Sequence, residues 1–163
     1  MLSGWHVAHL PAHIQGKTRA FQVIDQVVVS WEEFVVEGFL LAPRLFYVPF
    51  VPAGADFSVS EFGLVVSSAS QVTIKSRRWR KDVVSRRHWA FTCPIVDEQG
   101  RFCGHLNDIL FDPVTLKVTY LVISRGILGD VLGGALALSV SDIVQMGPSE
   151  VKIRALREVL LMK

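Results

Sequence analysis

Gly100-Arg101-Phe102-Cys103-Gly104-His105-Leu106-Asn107-Asp108-Ile109-Leu110-Phe111-Asp112-Pro113, continued through Val114-Thr115 to Val118-Thr119-Tyr120-Leu121-Val122-Ile123-Ser124, is the stretch on which the fold turns. Leu106 to Phe111 and Val118 to Ser124 are short and rich in β-branched and apolar residues, as strands are. Between them Asp112-Pro113-Val114-Thr115 has Asp at the first turn position and Pro at the second, which favours a type I turn. A β-hairpin is predicted. Upstream, Cys93 to Cys103 predicts a second hairpin, turning at Asp97-Glu98-Gln99-Gly100, where Gly100 supplies backbone freedom. Gly104 is expected to let two strands approach closely.

Working outward, the same pattern recurs earlier in the chain. Gly4-Trp5 precedes His88-Trp89 by 84 residues, Gly16 precedes Gly100 by 84, and Ala20 precedes Gly104 by 84. Asp25 lies 83 before Asp108, and Glu37 to Leu41 lies 82 before Thr119 to Ile123. Val59-Ser60-Glu61-Phe62 parallels Val140-Ser141-Asp142-Ile143 at 81, and Gln71 to Ile74 parallels Glu150 to Ile153 at 79. The expectation is two copies, residues 1–74 and 88–155, joined by a basic linker at 75–87. Within the first copy, Phe21 to Ile24 with Val27 to Val29 reads as one strand interrupted near Asp25, and Phe34 to Leu41 reads as its partner. Helix is expected only at the C-terminus, over 156–163, with Ser149 capping the segment and Leu156, Val159 and Leu160 on one face.

The second copy resembles a PRC-barrel domain. The resemblance rests on the two glycines four apart, Gly100 and Gly104, on Asp108 four residues beyond, on Asp112-Pro113, on Val118 to Ser124, and on Val140-Ser141-Asp142-Ile143. It spans about 65 residues. The first copy departs from it, with Ala20 for the second glycine and Ser30-Trp31-Glu32-Glu33 for the Asp-Pro turn. The resemblance implies an all-β chain of two tandem, small six-stranded barrels of the kind found in the cytoplasmic subunit of photosynthetic reaction centres, in ribosome maturation factors and in stand-alone proteins. It implies partner binding rather than catalysis, and a structural duty for Gly16, Asp25, Gly100, Gly104, Asp108, Asp112 and Pro113.

Composition agrees with a packed domain pair. Of 163 residues, 50% are hydrophobic and 20% charged, which excludes a disordered chain. A module of about 75 residues buries only about 60% of its unfolded surface, so two copies gain by packing together and by presenting surplus apolar surface to a partner, a second copy of the chain included. Two cysteines without CxxC spacing, and an N-terminus without a signal-peptide pattern, lead to the expectation of a cytoplasmic protein. The apolar run Val131 to Ser141 falls far short of the roughly 18 residues that span a bilayer.

Charge is segregated. Net charge is +2, yet Lys75, Arg77, Arg78, Arg80, Lys81, Arg86 and Arg87 stand against Asp82 alone, so residues 75–87 carry +6 and the remainder −4. With Trp79 and Trp89 interleaved, this segment is the candidate contact for a polyanion, because cations neutralise phosphates and exposed aromatics stack on unpaired bases. Another protein ranks first as partner, RNA or a ribosome is the alternative, and an anionic membrane surface ranks below both.

The remaining candidates favour bland roles. His6, His9 and His13 have a spacing that suits a metal on a helix, whereas Pro11 argues for an extended segment that separates them. Cys93 and Cys103 read as buried thiols more readily than as a redox pair, with no neighbour to lower their pKa. Asp25 and Asp108 are expected to accept backbone N–H bonds at strand irregularities rather than to act as an acid/base pair. Ser139, Ser141 and Asp142 lack a nucleophile-elbow context, and Gly126 to Gly134 lacks both the P-loop lysine and the dinucleotide glycine order. No catalytic constellation, cofactor or metal site is assembled from these residues, and an enzyme is the weakest class.

Overall fold

A computed structural model describes residues 1–87, 89–125, 135–147, 149–154 and 161–162. The chain is mostly β, in two sheets, one of them a curled half-barrel. It divides into two units: residues 1–87 with 111–117, and residues 88–110 with 118–163.

The first unit contains β1 (Leu2–Ser3), α1 (Gly4–Val7), β2 (Pro11–Ile14), β3 (Gln22–Ser30), β4 (Val35–Leu41), β5 (Tyr47–Pro52), β6 (Phe57–Ser60), β7 (Gly63–Val66), β8 (Thr73–Ser76) and α2 (Arg77–Arg87). Its sheet runs β6-β7-β2-β3-β4-β5-β8. Neighbours pair antiparallel except β2 and β7, which run parallel, with Ala12 opposite Leu64 and Ile14 opposite Val66. Chain lengths explain the curl. Five residue steps from Pro52 to Phe57 reach at most about 18 Å, whereas β5 and β6 stand five strand spacings apart, about 24 Å in a flat sheet. Phe39, Leu41, Val51, Leu64 and Val66 are wholly buried, and the Phe39 ring lies 5.5 Å from that of Phe57 and 6.5 Å from that of Phe111. Residues 111–117 complete this unit: Val36 N–H donates to Leu116 O over 2.8 Å, Val35 bridges Lys117, and Phe111 and Leu116 are buried.

The second unit contains β9 (Pro94–Asp97), β10 (Phe102–Phe111), β11 (Val118–Ser124), β12 (Ala135–Ser139), β13 (Ile143–Met146), β14 (Val151–Ile153) and β15 (Leu161–Met162). Its order is β13-β14-β9-β10-β11-β12-β15, position for position that of the first unit, and the β14–β9 pair is again the parallel one. Ile95, Ile109, Leu121, Ile123, Val151 and Ile153 fill its core.

The strand order corrects part of the repeat alignment. β14 holds the place of β7, not that of β8, so Val151 to Ile153 matches Leu64 to Val66 rather than Val72 to Ile74. Val140–Asp142 is a 3-10 turn, and the strand in the position of Phe57–Ser60 is Ile143–Met146. Register moves two residues as well. Ala12 faces Gln22 as Ile95 faces Gly104, and Pro11 faces Val23 as Pro94 faces His105. Gly104 therefore matches Gln22 instead of Ala20.

Two helix expectations are corrected. Helix occurs in the middle of the chain, where the basic segment read as a linker forms the end of β8 and all of α2 within the first unit. At the C-terminus, Leu161 and Met162 form a strand opposite Ala135 and Leu136, because β12 otherwise ends the sheet with unpaired backbone groups. The rest of that expected helix, 155–160 and 163, lies outside the described residues.

Candidate functional site

The basic segment is built on an N-cap. Ser76 Oγ accepts from the Trp79 backbone N–H over 3.1 Å, filling one of the first-turn donors of α2. The helix then opens with Arg77-Arg78 and has no acid in its first turn, so its cations sit at the positive end of the helix dipole. Packing compensates. Trp79, Val83 and Val84 lie against the buried cluster Val28, Leu40, Val48 and Phe50 on one face of the sheet, with the Trp79 ring 5.1 Å from that of Phe50.

Of the five cations whose side chains are described, two are committed to this docking. Lys75 Nζ stands 5.3 Å from the centre of the Trp79 ring, a cation–π contact. Arg80 donates to Asp25 Oδ2 over 2.7 Å, and Asp25 occupies the irregularity between Ile24 and Gln26 in the β3–β4 ladder. A bulge re-aims the side chain it carries. The expected irregularity is present at Asp25, but a guanidinium rather than a backbone amide meets its carboxylate. Arg77, Arg78 and Lys81 point outward with Asp82. The side chains of Arg86, Arg87 and Trp89 lie outside the described residues.

The other expected sites do not converge. His6 sits in α1, not on an extended strand: Ser3 caps that turn by accepting the His6 N–H. His9 follows with a φ of 82°, and His13 is in β2. Among the described residues no group of three or more His, Cys, Asp or Glu is placed to hold a metal. Cys93 and Cys103 are buried thiols whose pKa values are raised by burial. His105 faces Pro94 and Gly104 faces Ile95, so the hairpin register does not set the two cysteines opposite each other. Asp108 is buried and accepts from the Ile109 N–H over 2.8 Å. Ser139 caps the Val140–Asp142 turn, accepting from Ser141 N–H. Gly126 to Gly134 lies outside the described residues.

Turn chemistry absorbs the remaining motif residues. Asp112 Oδ1 accepts from the N–H groups of Val114 and Thr115 and from the Thr115 hydroxyl, at 2.9, 2.7 and 3.0 Å. The Thr115 N–H leads in holding this carboxyl below the usual range, followed by the Thr115 hydroxyl and the Val114 N–H. Pro113 follows within the same turn. Gly100 and Gly16 have φ of 75° and 78°, in the left-handed region that turns use.

Sequence reading missed a half-open cavity of about 280 Å³ in the first unit, walled by Ile14, Phe21, Tyr47, Pro49, Val72 and Ile74, with Gln22 and Arg44 as its polar groups. Gln22 Nε2 is occupied by Ala42 O at 2.7 Å. The lining comes from distant segments, so no local motif marks it. No described helix is long and apolar enough to cross a membrane. Comparison with protein-family models finds none that matches the chain, and comparison with curated proteins finds no matching relative.

Proposed function

We propose that the chain is a non-catalytic binding or adaptor module of two tandem PRC-barrel-like domains, working in the cytoplasm on another protein. The observation that carries this reading is the repeated strand order, seven positions in each unit with the same parallel pair. Duplication of a whole sheet architecture multiplies surface, whereas a catalytic site needs acid, base and nucleophile brought together at one place. Affinity purification of the tagged chain from its native host, with identification of bound protein and nucleic acid, tests it. A reproducible protein partner in stoichiometric amount supports the adaptor; recovery of RNA alone points to the second reading.

That second reading is an RNA- or ribosome-associated factor using the basic segment, and the outward set Arg77, Arg78 and Lys81 favours it. Three phosphate contacts to a single strand give a slope of about −2 for log affinity against log salt. The triple change Arg77→Glu, Arg78→Glu, Lys81→Glu should abolish such binding and leave the fold intact, since these side chains are exposed. Wild-type RNA affinity in the triple variant would remove the segment from this role.

A further inference from the structure

Leu45 and Phe46 are 73% and 82% exposed at the tip of a tight turn closed by the Arg44 N–H to Tyr47 O bond at 2.8 Å. Two large apolar side chains in succession cost free energy in water, and neither contributes to the core. Tyr47 and Ile74, 40% and 60% exposed, extend the apolar surface along β5 and β8. The β5–β8 register sets Tyr47 opposite Ser76, so the turn lies at the same end of the ladder as the start of α2, with Phe46 next to Arg77 in register. Arg44, Arg77 and Arg78 are exposed around it, and none of the three is in an ion pair among the described residues.

The surroundings contain no opposing charge in sequence. Residues 38–55 and 62–81, which supply β5, the turn, β8 and the first turn of α2, hold neither Asp nor Glu, although the chain has 15 acids. Two other exposed apolar residues differ: Phe62 adjoins Glu61, and Val114 is two residues from Asp112, whereas Met1 and Trp5 share an acid-free stretch, residues 1–24, but adjoin no Arg or Lys in sequence. An apolar tip ringed by cations fits a surface that is negative outside and apolar beneath.

We propose that this end of the first unit docks on an anionic lipid bilayer, Leu45 and Phe46 entering the headgroup–acyl boundary while Arg44, Arg77 and Arg78 meet lipid phosphates. The association is peripheral and reversible, and it goes beyond the adaptor reading without depending on it. Co-sedimentation of the full chain with vesicles tests it, comparing phosphatidylcholine alone with phosphatidylcholine containing about one third phosphatidylglycerol. Binding should require the anionic lipid and weaken with salt. Leu45→Ser with Phe46→Ser should weaken it at least tenfold, and Arg77→Gln with Arg78→Gln should weaken it by about fivefold per arginine, with thermal stability unchanged in both. Three results would overturn the proposal: no wild-type binding at low salt, equal binding to neutral vesicles, or wild-type binding by the serine variant. If the serine variant instead abolished self-association of a chain that ignores vesicles, the tip would belong to a contact between two copies, and the lipid assignment would fall.

Discussion

Gly104 has no room for a side chain. A Cβ there would lie 2.5 Å from Ser124 O and 2.7 Å from a methyl carbon of Ile123, and its φ is 142°. Gly100, with φ of 75°, has nothing within 4 Å of the same position. The two glycines of the motif thus do different work, one permitting contact and the other a turn. Gly104→Ala should lose about 3 kcal/mol through overpacking and strain, and Gly100→Ala about 1 kcal/mol through backbone conformation alone; urea unfolding of both variants measures the contrast, and equal losses would refute it. Asp97 gives a pH signature in the same hairpin. Burial pushes its carboxyl up, but the Arg101 N–H, the Arg101 guanidinium and the Gln99 N–H prevail and leave it below the usual carboxylate range. A carboxyl lowered in the folded state contributes stability that is complete above its unfolded pKa of about 4 and is lost as pH falls through the folded value. Acid titration of the urea midpoint should show this fall in the wild type, and Asp97→Asn should reduce it.

At the scale of elements, α2 is held by one face and exposed on the other. Trp79→Ala should cost about 2–3 kcal/mol, since the ring is partly buried on Phe50. Arg80→Glu should destabilise by setting a carboxylate against Asp25, whereas the Glu triple variant of Arg77, Arg78 and Lys81 should stay within about 0.5 kcal/mol of wild type; thermal melts of the two variants distinguish them. The Arg80–Asp25 pair itself is roughly one-third exposed and adds no more than about 1 kcal/mol. The strands flanking Asp112-Pro113 were legible because β-branched runs and turn residues are local signals. The Trp79–Val83 spacing was a helical signal too, but the charge around it suggested a solvated linker. Leu161 and Met162 fell within the helix expected from the Leu156, Val159 and Leu160 stripe, and only the edge of β12, a tertiary feature, makes them a strand. Short apolar pairs such as Val140 and Ile143 recur too often to fix an alignment, so that block slid by a few residues onto the turn before β13 and the last block slid by one strand position. The cation–π and bulge contacts of the basic segment join residues 25, 50, 75, 79 and 80, beyond the reach of local pattern.

The molecule as a whole repeats an architecture without dividing the sequence cleanly. The first unit takes residues 111–117 from within the second half of the chain, where Phe111 and Leu116 are buried and Lys117 bridges Val35. A fragment of residues 1–87 lacks these groups and should unfold at a lower urea concentration than the first unit of the full chain, read from Trp79 fluorescence in a chain whose other tryptophans are replaced. Leu116→Ser in the full chain should destabilise the first unit by about 2–3 kcal/mol. A fragment as stable as the intact protein would show the segment to be dispensable.

That interleaving also orders events on the ribosome. When Arg87 has emerged, the sheet that buries Phe39 still lacks Phe111 and Leu116, and 30 more residues must follow before Lys117 is available. At synthesis rates of about 5–20 residues per second, the nascent first half waits roughly 1.5–6 s with part of its core uncovered. The N-terminal unit therefore cannot finish folding until Lys117 has emerged, and this window is where a chaperone would find the chain.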